Sequence, residues 1–262
     1  MSLIEIAREG RVATVRFDRG DGVNALNSEL IEALTETARD LYREDELSAV
    51  VVSGGRPHFS MGYDLTEARA RLQGGAGVTE RRRAARLGRD LARAWVALEP
   101  LTIAAVEGWC IGGGVVLACA CDLRVASREA RFYLPEVERG MNMSWGSVPR
   151  LTALIGPARA KRMAALAEKV GAETAEVWGL VDRLAASGAA EAEAQAWARE
   201  AAALPPISLR MCKGQVEAAA HALDSALSAL DRDQFVLGSL TEDHAESVAA
   251  FLERRKPRFE GR

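Results

Sequence analysis

The feature that most constrains the fold is the apolar stretch from Leu101 to Ala120, broken by Glu107 and by glycines. A membrane span needs about 20 uninterrupted apolar residues, so this stretch divides into shorter pieces. Leu101 to Val106 predicts a strand, Gly108 to Gly114 a turn and Val115 to Cys121 a short apolar helix. A helix without a polar face has to be buried. Leu123 to Ala126 predicts a further strand, and strands joined in this way build an α/β body.

The flanking sequence extends that pattern. Residues 3–7 and 11–17 predict a hairpin around Glu9-Gly10-Arg11. Asn27-Ser28 offers an N-cap for a helix to about Tyr42, with Leu30, Ile31, Leu34, Ala38 and Leu41 on one stripe. Val50-Val51-Val52 is a short buried strand ended by Gly54-Gly55. A loop with Gly74, Gly75 and Gly77 precedes an Arg-rich helix over roughly 79–98. From about residue 146 the chain is Ala-rich and helical, punctuated by Gly156-Pro157, Gly171, Gly188 and Pro205-Pro206. No internal repeat is visible.

With 262 residues the chain can bury a core without disulfides or metals. Its net charge of −3 disfavours nucleic acid or an anionic membrane as the main partner. Three of the four cysteines (Cys110, Cys119, Cys121) lie in one apolar run, and the fourth is Cys212. No C-x-x-C pair occurs, so buried free thiols in a reducing compartment are expected and a metal site is not. The N-terminal residues lack a basic flank and an apolar core, which argues against a secretory signal and for the cytoplasm.

Two glycine-shaped segments carry candidate chemistry. Gly112-Gly113-Gly114 lies between a strand and a helix. Glycine admits close backbone approach, and the first N–H groups of a helix are unpaired and partly positive. Such a terminus suits a phosphate or a developing oxyanion, although a tight, crowded turn explains the glycines equally well. In Pro57-His58-Phe59-Ser60-Met61-Gly62-Tyr63-Asp64-Leu65, Gly62 allows a strained turn that could aim the Tyr63 N–H into a cavity. The alternative is a surface loop with one buried Phe.

Taken together, Phe59-Ser60-Met61-Gly62-Tyr63-Asp64-Leu65, Ala105-Val106-Glu107-Gly108-Trp109-Cys110-Ile111-Gly112-Gly113-Gly114 and Cys121-Asp122-Leu123-Arg124-Val125-Ala126 resemble the enoyl-CoA hydratase/isomerase (crotonase) superfamily. The resemblance continues in Val23-Asn24-Ala25-Leu26-Asn27, Arg131-Phe132, Pro135-Glu136 and Ala250-Phe251-Leu252-Glu253-Arg254-Arg255-Lys256, and so covers nearly the whole chain. It implies an α/β fold, a crotonase-like spiral of ββα units over residues 1–190. A C-terminal helical region over 191–262 would serve trimerisation and the CoA pocket, as a homotrimer or a dimer of trimers. It implies an acyl-CoA thioester substrate whose carbonyl is polarised by the N–H groups of Tyr63 and Gly113. CoA arrives as part of that substrate, and no further cofactor is expected. Val23, Ala25, Asp64, Leu65 and Thr66 would flank the CoA arm, with Phe235 and Arg254 as C-terminal CoA contacts.

Hydratases of this family use two glutamates. The second matches Glu136, but Val116 occupies the place of the first. Where some dienoyl isomerases place an Asp, this chain has Ser144. Adding water needs one group to activate it and another to supply the α-proton, whereas one carboxylate can move a double bond by shuttling one proton. The sequence therefore favours enoyl-CoA isomerisation by Glu136. Hydration or another thioester-enolate reaction, and a decayed acyl-CoA-binding protein, stand as alternatives. Glu138 is an equally charged neighbour of Glu136, and a solvated charge run is the bland reading of both. Met143 and Trp145 are candidate walls of the acyl pocket, or ordinary core. His58 has no role in the family pattern, and His221 and His244 are read as surface groups. The Arg81–Arg89 helix face is read as solvated, with RNA binding a weaker alternative.

Overall fold

The computed structural model describes residues 2–67, 70, 77–222 and 231–262. The expected glycines at 74 and 75 lie outside the described residues. β1 (Ile4–Glu9) and β2 (Val12–Phe17) form the expected hairpin, paired in antiparallel register from Ile4 against Phe17 to Glu9 against Val12. α1 (Ser28–Tyr42) starts where Asn27 caps it, the Asn27 side chain accepting the Leu30 N–H at 2.9 Å. The expected stripe of α1 is buried. β3 (Ala49–Gly54), α2 (Val78–Val96), β4 (Leu101–Val106), α3 (Gly113–Ala120) and β6 (Leu123–Ser127) also fall close to their expected positions. All eight residues of α3 are buried, as its apolar composition requires.

The turn expected over 108–114 contains a strand instead, β5 (Trp109–Ile111), held by parallel pairing with β7 (Arg131–Tyr133). The Ala-rich C-terminal half is likewise interrupted by β8 (Val170–Gly171) and β9 (Arg183–Ala185). Its helices are α4 (Ser147–Ala165), α5 (Ala172–Trp178), α6 (Ala190–Ala202), α7 (Pro206–Ala220), α8 (Asp231–Gly238) and α9 (Glu242–Leu252).

Among the described residues one sheet has the order β1-β2-β3-β4-β6-β9 and is parallel from β2 onward; a second has the order β5-β7-β8. Ser60 bridges to Cys110 in parallel fashion, which adds the 59–63 segment to the second layer. Each main strand, β3, β4 and β6, thus feeds a short extended segment stacked on its predecessor: 59–63, then β5, then β7. The repeat lies in backbone pairing rather than in side chains, which is why the sequence hides it.

The motif around Cys121 to Ala126 is structural. Asp122 accepts the Thr102 N–H and hydroxyl at 2.7 Å and pairs with Lys213 of α7 at 2.7 Å. Arg124 is 2% exposed, pairs with Asp182 at 3.0 Å and donates to the Leu180 and Cys121 carbonyls. These charges tie β4, β6, α7 and the 180–182 segment together. Cys110, Cys119 and Cys121 are buried free thiols, and Cys212 is exposed.

Candidate active site

The side-by-side stacking of the 59–63 segment and β5 brings the two glycine turns together. Asn24 organises the first turn. It is buried, donates to the Phe59 carbonyl at 2.8 Å, and its own carbonyl accepts the Ser60 hydroxyl at 2.9 Å. The Ser60 Oγ in turn accepts the Gly62 N–H at 3.1 Å. The Gly62 carbonyl is taken by the Leu26 N–H at 2.8 Å. Across a planar trans peptide the C=O and N–H point in opposite directions, so the Tyr63 N–H faces away from Leu26.

The second turn is built on the same logic. Gly112, with φ 49 and ψ −115, is the N-cap of α3 and supplies no side-chain cap. Its N–H donates to the Tyr133 carbonyl at 2.8 Å, and its carbonyl accepts the Val116 N–H at 3.1 Å, inside the helix. The Gly113 N–H therefore projects outward from the positive end of α3. The glycines are also sterically required. A Cβ on Gly112 would lie 2.8 Å from Glu136 Oε1, and one on Gly113 2.5 Å from the Trp145 ring.

Gly62, Tyr63, Gly112, Gly113 and Glu136 line one cavity of about 280 Å3 with predominantly apolar walls. Trp145 forms part of its wall, edge-on to Tyr63 at 6.3 Å between ring centroids. Gly88 of α2 leaves room for that indole, since a Cβ there would overlap it. Met143 is buried against the core and also lines the cavity.

Glu136 opens the 3₁₀ turn Val137–Arg139, and its carbonyl accepts the Arg139 and Met141 N–H groups at 2.9 and 3.0 Å. The residue is half-buried, but its Oε2 is sealed from solvent and has no hydrogen-bond partner. Burial pushes the carboxyl up to about 7, offset in part by its backbone hydrogen bond and the Arg139 charge. Glu138 faces the other way: it is exposed and accepts the Tyr133 hydroxyl, whose pKa is raised by burial and by that bond. The two neighbouring glutamates are thereby separated. Val116 and Ser144 also line the cavity, so of positions 116, 136 and 144 only 136 carries an acid.

The other expected contacts divide by exposure. Leu65 and Phe235 line the cavity, whereas Val23, Thr66 and Arg254 are exposed. Ala25 is half-buried beside Leu26. Asp64 pairs with Arg19 at 2.8 Å and accepts the Thr66 N–H and hydroxyl, bonds that hold its pKa low against burial. Its carboxylate shapes the segment after Tyr63. His58 Nδ1 accepts the Trp109 N–H at 3.3 Å, a structural bond.

His244 departs from its expected surface position. It is buried on α9, lines the cavity, and its Nδ1 lies 2.7 Å from the Arg139 carbonyl. Burial lowers its pKa. Arg139 and Arg81 line the same cavity, and the sequence pointed to neither as a cavity residue. One signal was present for Arg139: residues three apart eclipse in a 3₁₀ turn, so 136 and 139 share a side. The Arg81–Arg89 face is otherwise engaged with acids, Arg82 with Asp233 at 2.7 Å and Arg86 with Asp90 at 3.3 Å. Among the described residues no cluster suited to a metal occurs, and no helix is long and apolar enough to cross a membrane.

Layered parallel pairing and a cavity shared by two glycine turns define the class, and comparison with known proteins agrees. The sequence model of the enoyl-CoA hydratase/isomerase family matches residues 7–262. The chain is 32% identical to the probable enoyl-CoA hydratase echA8 of Mycobacterium tuberculosis (strain CDC 1551 / Oshkosh), over 98% of this chain and 97% of that protein. It is 31% identical to the short-chain-enoyl-CoA hydratase of Clostridium acetobutylicum, over 96% and 95%. The crystal structure of an enoyl-CoA hydratase/isomerase from Pseudoalteromonas atlantica T6c superposes with a TM-score of 0.88 at 26% identity, covering 99% of this chain and 100% of that one. The chain belongs to the enoyl-CoA hydratase/isomerase family.

Proposed function

We propose that this acyl-CoA enzyme moves a carbon–carbon double bond along an enoyl thioester, with Glu136 as the single proton carrier. The Tyr63 and Gly113 N–H groups hold the thioester oxygen. The Glu136 carboxylate removes a proton from C2 of a 3-enoyl-CoA, and the electron pair spreads into a dienolate whose charge rests on that oxygen. The protonated Glu136 then returns the proton to C4, leaving the double bond between C2 and C3. Atoms and charge balance without a second acid or a water. Preplaced donors in an apolar site favour the charged intermediate over the neutral thioester, each contributing about 3–4 kcal/mol to the barrier reduction. Val23, Ala25, Asp64, Leu65, Thr66, Phe235 and Arg254 flank the CoA moiety in this reading, and no cofactor beyond the CoA of the substrate is required.

The observation that carries this reading is the cavity itself: three wall positions where the family places acids hold Val116, Glu136 and Ser144. The Glu136 pKa of about 7 suits a group that must accept and return a proton at neutral pH. Hydration is the second reading, favoured by the names of the two relatives. Assays of 3-hexenoyl-CoA isomerisation and crotonyl-CoA hydration on the same preparation separate them. Isomerisation is expected to be faster by about two orders of magnitude, the contribution of a missing acid–base group; faster hydration overturns the reading.

The assembly is proposed to be a homotrimer or a pair of trimers. α7 leaves Ile207 and Met211 exposed one turn apart on the same side, an apolar pair suited to subunit contact. Light scattering is expected to give three or six times the 28.2 kDa chain mass.

A further inference from the structure

The cavity holds a positive charge that reaches Glu136 only through space, with no hydrogen bond or ion pair between them. Arg139 lies with its guanidinium carbon 4.1 Å from the Phe251 ring centroid on α9, and both residues line the cavity. Its Nε is buried without a hydrogen-bond partner, and among the described residues no carboxylate lies within ion-pair distance of it. Nearby acids are committed elsewhere: Glu138 to Tyr133, and Glu246 to Arg255 at 2.6 Å. His244 cannot serve as counter-ion, because it is neutral or cationic. Among the described residues Glu136 is the acid lining the cavity, and in the proposed mechanism it cycles through its neutral form. Arg139 is half-buried, but its sealed Nε has no partner, and an unpaired buried donor is costly, so a ligand anion is the natural complement.

CoA itself does not meet this demand, since its phosphates sit a whole pantetheine arm away from the thioester. From this geometry we infer that the preferred acyl chain carries a second, distal carboxylate, which Arg139 binds while Tyr63 and Gly113 hold the thioester. The inference rests on the acyl-CoA reading above. A planar guanidinium offers paired donors to a carboxylate, and the Phe251 ring lies against it at 4.1 Å.

Binding of saturated thioesters tests this without any turnover, so its outcome is separate from that of the isomerase reading. Calorimetric Kd values would be compared for monoacid and diacid CoA monothioesters of equal length: hexanoyl against adipoyl, octanoyl against suberoyl, decanoyl against sebacoyl. At one length or more, the diacid thioester is expected to bind about tenfold tighter or better. Arg139→Met is expected to remove that preference and Arg139→Lys to restore part of it. A wild-type protein that favours no diacid at any length overturns the inference, and this result needs no variant to fold. Equal weakening of both series by Arg139→Met also overturns it, assigning Arg139 to CoA phosphate contact. Unaltered Kd values in that variant, with a shifted pH profile for turnover, assign it to tuning Glu136 and overturn it too.

Discussion

Arg124 and Glu136 are both charged groups withdrawn from water, and they are treated in opposite ways. Arg124 has Asp182 at 3.0 Å and the Leu180, Cys121 and Asp122 carbonyls as acceptors, so each of its three desolvated nitrogens has a partner. Glu136 is given an apolar cavity and an Oε2 with no partner. A satisfied buried charge fixes structure, because removing either member strands the other. An unsatisfied one stores free energy that a substrate can use. The difference separates charges that hold this fold together from the charge proposed to perform its chemistry.

The comparison can be broken by exchanging the two behaviours. Arg124→Met strands Asp182 and three carbonyl acceptors, and is expected to destabilise the protein by about 3–5 kcal/mol in urea denaturation. An unchanged midpoint would show that the pair is ornamental. Glu136→Gln should do the reverse. The native carboxyl holds its proton up to about 7, against an ordinary value of 4.5, so the native state loses stability as pH rises through that window. The glutamine variant escapes this loss. Its advantage is expected to be absent below about pH 4.5 and to grow to about 3 kcal/mol above pH 7. Thermal melts at pH 5 and pH 8 measure it, and a pH-independent difference would contradict the assignment.

Smaller effects sharpen the picture around the site. Gly88→Ala drives a methyl into the Trp145 ring and is expected to cost about 1–3 kcal/mol of stability while raising KM, as the indole shifts within the cavity wall. Tyr133→Phe removes only the hydroxyl bond to the exposed Glu138 and should cost at most about 1 kcal/mol. A large loss of turnover in Tyr133→Phe would move that hydroxyl into the chemistry.

Much of the fold was legible because its signals are local. Asn27 caps α1, a 3.6-residue stripe defines its buried face, and the β-branched runs at β3 and β4 have glycine boundaries. β5 has three residues and β8 two, too short for any periodicity, and both exist through tertiary pairing, with β7 and, for β5, also with Ser60. The two turns and Glu136 were legible as a motif, but their convergence depends on Ser60 lying beside Cys110, a tertiary fact. His244 and Arg139 were misjudged or overlooked for the same reason. A histidine on an amphipathic helix and an arginine in a charged run look solvated until α9 is laid over the 3₁₀ turn.

The central claim is that a single carboxyl carries the proton. Chromatographic separation of the isomers with mass spectrometry of each, for 3-hexenoyl-CoA incubated in D2O with wild-type protein and with Glu136→Gln, tests it most directly. Wild type is predicted to form 2-hexenoyl-CoA at least about a thousandfold faster than the variant, with the variant binding the thioester normally and exchanging no C2 hydrogen. Isomerised product from Glu136→Gln at the wild-type rate would contradict the account.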